Sequence, residues 1–186
     1  MDTTAWIIVA VAVAAAVLII GLIAWAMANR RRDQRLQRTF GREYDETYAT
    51  AGDRKAALNN LKEREKRVSS YDLRPLEPEQ RRSFLMEWQA MQAGFVDDPI
   101  EAVTRADHLL GAVMKARGYE TDLSDPNARL EDLSVGHGDE AVAFREANRV
   151  AALNREGRAT TEDLRRAIKD YGTVFDSLLN ERQAAT

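Results

Sequence analysis

Residues 5–28 read AWIIVAVAVAAAVLIIGLIAWAMA, an unbroken uncharged run that ends at Asn29 and at once meets Arg30, Arg31 and Arg32. As a helix rising about 1.5 Å per residue, such a run reaches roughly 36 Å, enough to cross a hydrocarbon core of about 30 Å with some tilt. The stretch therefore reads as a single transmembrane helix. Trp6 and Trp25 stand near its two ends, where amphipathic rings favour the interface, and Arg30, Arg31 and Arg32 form its basic edge.

Charge on either side of the run gives an orientation. The leading tail MDTT carries Asp2 and the terminal amine, whereas the trailing flank RRRDQRLQR, residues 30–38, holds five arginines. Basic flanks stay on the cytoplasmic side, so a single-pass protein of the inner (plasma) membrane is expected, with its N-terminus outside and its C-terminal domain in the cytoplasm. A cleaved secretory signal is the competing reading, because AMA at 26–28 has the small residues of a cleavage site. Against it stand the missing basic n-region, a run longer than a signal's apolar core, and arginines on the wrong side. Within the run, Ala10, Ala14, Val17, Gly21, Ala24 and Ala28 recur at alternating steps of four and three. That spacing forms a seam of small residues on which two copies could pack as a homodimer, although an alanine-rich span offers small residues on every face.

The chain beyond the run has the composition of an ordinary folded domain on a stalk. Its net charge of −3 hides a gradient. Residues 29–67 contain 12 Lys+Arg against 7 Asp+Glu, and residues 68–186 contain 15 against 22, balances of +5 and −7. Basic charge beside the bilayer suits the lipid phosphates of an anionic leaflet, and acidic charge beyond it argues against nucleic acid as a partner. The absence of cysteine excludes disulfides, thiolate nucleophiles and thiolate metal sites.

Helix signals follow one another with almost no strand signals between them. Helix is expected from Asn29 to about Thr39, with a break at Phe40-Gly41, then from about Arg42 to Ala51 with a stop near Gly52. Asp53 can cap a helix running to about Ser70, whose apolar stripe is thin: Ala57, Leu58, Leu61 and Val68 among a run of charges from Lys62 to Arg67. So thin a stripe reads as a solvated stalk over 29–72, and its charges as a wet face with intrahelical pairs. Pro75 and Pro78 then mark the start of a compact helical bundle over 73–183. In its first helix Phe84, Trp88, Met91 and Phe95 fall at steps of four, three and four on one face, which is either core or the wall of a ligand groove. Asp98-Pro99 and Asp125-Pro126 start two further helices, and Gly118 ends the first of these. Val135 to Asp139 reads as a turn before a helix from about Glu140 to Arg155. A last helix begins near Thr160 with Leu164, Ile168, Tyr171, Phe175 and Leu178 on one face. The fold class is all-α: a transmembrane helix, a charged helical stalk and a C-terminal helical bundle.

Chemistry is sparse. Histidine occurs at 108 and 137 without ligand spacing to a second metal-binding residue, so no metal or cofactor is expected. His108 reads as a surface or boundary residue, and His137, between two glycines, as the more exposed of the two. Phosphate-binding glycine loops, nucleophile elbows and zinc-protease motifs are absent from the sequence, and no residue is recommended as catalytic.

In order, the blocks FGREYD at 40–45, LRPLEPEQR at 73–81, FVDDP at 95–99, VMKARGY at 113–119, LSVGH at 133–137 and TTEDLRRAI at 160–168, behind an anchor and an arginine flank, span nearly the whole chain. Together they resemble a family of bacterial single-pass membrane proteins of unassigned function. Arg42 departs from the pattern, which has proline there. The resemblance implies a bacterial, membrane-anchored and mostly helical protein and carries over no catalytic or binding residue. Two functions compete. One is a non-enzymatic adaptor or scaffold that a tether holds at high effective concentration near a protein partner. The other is a sensor with a small-ligand pocket between helices, lined by Phe84, Trp88 or Tyr171.

Overall fold

The computed structural model describes the backbone of residues 3–180, and their side chains except at 3–17, 25–26, 28–33, 51 and 54. All the secondary structure among the described residues is helical: α1 Thr3–Ala51, α2 Arg54–Val68, α3 Pro78–Gly94, α4 Pro99–Ala116, α5 Pro126–Leu133, α6 Gly138–Arg155 and α7 Thr161–Asn180. Among the described residues no helix is long and apolar enough to cross a membrane. Most side chains of the apolar run at 5–28 lie outside those described, Trp6, Ala10, Ala14 and Trp25 among them, as do the side chains of Arg30, Arg31 and Arg32. The chain divides into two compact units, Met1–Arg38 and Thr39–Thr186. In the first, Leu18, Ile19, Ile20, Leu22, Ile23 and Met27 are exposed on α1, and so are Gly21 and Ala24 of the small-residue seam.

The second unit begins at a joint. At Gly41 the backbone leaves the helix (φ 47°, ψ −128°), a left-handed conformation that glycine adopts without a Cβ penalty. The break expected at Phe40-Gly41 is therefore a kink inside α1. Phe40 is fully buried there, and its carbonyl lies where a Cβ on Gly138 would be, 1.7 Å from that position. Gly136 N–H donates to the Thr39 carbonyl at 2.9 Å. The turn before α6 is thus the seat on which the kink rests.

Local signals start the helices where their side chains can satisfy free backbone N–H groups. Asp53 accepts from the N–H groups of Lys55 and Ala56 at the start of α2, and Asp98 from that of Glu101 at the start of α4. Glu77 and Gln80 form a capping box around Pro78. The core lies where α4 and α6 pack on α7, with α3 against α4 and α5 against α6. From α7 it takes Leu164, Ile168, Tyr171, Phe175 and Leu178, the face expected from their spacing.

The stalk reading of 29–72 is corrected from residue 39 onward. Ala57, Leu61 and Val68 of α2 are buried, α2 packs on α5, and residues 39–72 share a compact unit with the bundle. Three apolar residues suffice because the charges beside them also dock. Arg64 reaches Glu43 at 3.3 Å and Glu131 at 3.5 Å, and Arg67 reaches Glu131 at 3.0 Å and Asp132 at 2.6 Å. These are pairs between elements rather than along one helix.

Candidate functional site

The aromatic stripe on α3 is core. Trp88 and Met91 are buried, and Phe84 and Phe95 are partly buried against the same cluster. The Trp88 indole stacks on Phe175 with centroids 4.6 Å apart and planes 17° from parallel. Gly172 on α7 makes room for it, since a Cβ there would lie 3.2 Å from the indole. These rings fill one another's space, so Trp88 is core, while Met91 also borders a cleft of about 280 Å³ with Glu87, Arg105, His108, Leu109 and Ala112. Tyr171 is also fully buried, with its ring edge-on to Phe144 and its hydroxyl donating to Asp107 at 3.2 Å.

What the stripe leaves on the other side of α3 is bare. Among the described residues of the Thr39–Thr186 unit, the large aliphatic side chains that are exposed are Leu85, Met86, Val96 and Ile100. All four lie on α3, the turn after it or the first turn of α4. Val96 is 87 % exposed and Met86 63 %. Ala90 and Ala93, also exposed, continue the surface from Met86 at helical steps of four and three.

Buried polar groups gather on the side of the unit built from α1, α2, α5 and α6. Glu43, 2 % exposed, pairs with Arg64 and with Arg145. Asp132, also buried, accepts from Arg67 Nε at 2.7 Å and from the Tyr71 hydroxyl at 2.7 Å. Between α4, α5 and α7 a second group forms, in which Arg129 is buried, pairs with Asp107 at 2.8 Å and lies 5.2 Å above the Phe144 ring. Spacing along the sequence gives no warning of these partners, because they lie on different helices. Burial of so many ionised groups is tolerated because each is paired.

The two phenols feel this environment. Burial, then the hydrogen bond to the Asp132 carboxylate, pushes Tyr71 up to about 12. Burial, then the charge of Asp107, raises Tyr171 further. A phenol whose pKa is higher in the folded chain than in the unfolded chain contributes stability in full below its ordinary pKa, and loses it as pH rises through the folded value. Stability should therefore fall between about pH 10 and 12 as the Tyr71 contribution is lost. In an alkaline unfolding titration followed by circular dichroism, Tyr71→Phe should flatten this part of the curve. An identical profile would show that the phenol is unperturbed.

His108 is exposed on α4, as expected. His137 is not the exposed histidine of the pair: it is 7 % exposed at the start of α6, with Nδ1 3.2 Å from Ser177 Oγ. Docking of Phe40 on the following glycine closes over the turn that sequence alone leaves open. Among the described residues, no group of three or more His, Cys, Asp or Glu side chains is placed to hold a metal ion. Comparison with protein-family models, with curated proteins and with solved structures finds no match to this chain.

Proposed function

We propose that this protein is a membrane-anchored, non-enzymatic adaptor whose cytoplasmic helical unit binds a protein partner through the outer face of α3. The observation that carries the reading is the distribution of exposed apolar surface. Single exposed aliphatic residues are ordinary, but here Leu85, Met86, Val96 and Ile100 all fall on α3, the turn after it and the first turn of α4, outside the packed core. A face of this kind suits a partner that presents an apolar surface of its own. The anchor is supported by the length of the uncharged run at 5–28, by its arginine flank, and by the exposed aliphatic side chains from Leu18 to Met27. Lipid phosphates are the natural neighbours of that flank, and the family resemblance points the same way.

A photocrosslinking residue placed at Met86 or Val96 in native membranes tests the proposal. A discrete adduct in the membrane fraction is expected from both positions and not from Arg165, on the exposed face of α7. With the photocrosslinking residue moved to the exposed Ala90, Met86→Glu with Val96→Glu should abolish the adduct while moving stability by no more than about 0.5 kcal/mol, as surface substitutions do. The same adducts from Arg165, or their survival in the double variant, would remove the α3 face from consideration.

A further inference from the structure

We infer that the cleft between the end of α1, the N-terminal part of α2, α5 and the middle of α6 is a binding site for a small neutral polyhydroxylated molecule, a sugar or polyol. This goes beyond the adaptor reading and uses none of the α3 surface.

The cleft measures about 720 Å³, within the range of small-molecule sites. Its wall residues contribute three buried polar atoms that have no hydrogen-bond partner among the described residues: Thr47 Oγ1, Asn60 Oδ1 and Arg64 Nε. Thr47 is 8 % exposed, so its hydroxyl is withdrawn from bulk solvent on the protein side of the cleft. Leaving such groups unsatisfied costs free energy unless something in the cleft bonds to them.

Their chemistry selects the occupant. Arg64 Nε only donates, Asn60 Oδ1 only accepts, and the Thr47 hydroxyl does either. A ligand hydroxyl also does either, so adjacent hydroxyls can serve all three atoms without any change of charge. Charge in the wall is already matched internally. Glu43 holds both Arg64 and Arg145, Glu131 lies 3.5 Å from Arg64, and Glu46 lies 3.8 Å from Arg145. An anion would have to displace these carboxylates from their arginines, and a cation would have to displace the arginines. A neutral ligand disturbs neither. The apolar share of the wall, Ala56, Leu130 and the threonine methyls, suits the C–H faces of a sugar or polyol ring.

The test uses the full chain, isotope-labelled, in an amine-oxide detergent rather than a sugar-based one, with amide shifts followed by NMR. The probes are trehalose and myo-inositol, with inorganic phosphate and spermidine as charged comparisons. Saturable shifts centred on Thr47, Asn60 and Arg64 are expected with at least one of the neutral probes. Thr47→Val, which keeps the side-chain shape, should weaken binding about tenfold, the cost of one hydrogen bond, as should Asn60→Leu. The thermal midpoint of each variant, measured without probe, should be no lower than that of the parent, because each removes a buried group that lacks a partner. Absence of saturable shifts with both neutral probes would overturn the assignment. So would stronger binding of phosphate or spermidine at the same residues, or unchanged affinity in both variants.

Discussion

Trp88→Ala is expected to lower the stability of the folded unit by about 3–5 kcal/mol, the range for removing a large buried aromatic. The indole is 5 % exposed, stacks on Phe175 and lies against Gly172, so truncation leaves a cavity bounded by a ring on one side and a helix backbone on the other. The helix carrying Gly172 also supplies Tyr171, Val174 and Phe175 to the core, and it can collapse inward only by moving all of them. Chemical denaturation followed by far-ultraviolet circular dichroism measures the effect. Trp88→Phe, which keeps a ring over Phe175, should lose markedly less. An unchanged midpoint in Trp88→Ala would mean that the indole is exposed and would return the α3 stripe to consideration as a groove.

Gly138→Ala should have an effect of similar size for a different reason. The new Cβ would lie 1.7 Å from the Phe40 carbonyl oxygen and 2.3 Å from its carbon, so one backbone segment must move away from the other. Backbone cannot swing aside as the end of a flexible side chain can. Separation exposes Phe40, worth about 1.5–3 kcal/mol in apolar burial. It also strains the Gly136 to Thr39 hydrogen bond and the pairing of Glu43 with Arg64 and Arg145. A Glu43 carboxylate parted from its arginines is too costly to keep buried and is hydrated once released, so undocking of residues 39–51 is the expected result. Hydrogen exchange should report it as lost protection over 42–51 while α4 and α7 stay protected. Retained protection there, with an unchanged denaturation midpoint, would show that the contact between the kink and the turn is not needed.

These two sites also show where sequence reasoning stops. The all-helical class, the starts at Asp53, Pro78, Asp98-Pro99 and Asp125-Pro126, the break at Gly41, and the inward faces of α3 and α7 were legible in the chain. Each depends on residues within a few positions of one another: a cap needs an acceptor two or three residues before its N–H groups, and a face needs apolar residues at steps of three and four. Whether the α3 stripe was core or groove was not legible. Amphipathic periodicity states that a face is covered without stating what covers it, and Gly172 and Phe175 lie more than eighty residues away.

The charged helix α2 misled for the same reason. Its three buried apolar residues are too few to announce a packed helix, and the partners that complete its docking are far off in sequence: Glu43 on α1, and Glu131 and Asp132 on α5. His137 read as exposed because a Gly-His-Gly turn looks like loose chain until Phe40 closes over it. The sequence by itself determined the helices, their ends and their apolar faces, since those follow from local sterics and hydrogen bonding. Only the tertiary structure decided that residues 39–72 belong to the bundle, that Trp88 is core, and that a polar cleft opens beside Glu43, because ion pairs and close backbone approaches join residues whose separation along the chain carries no signal.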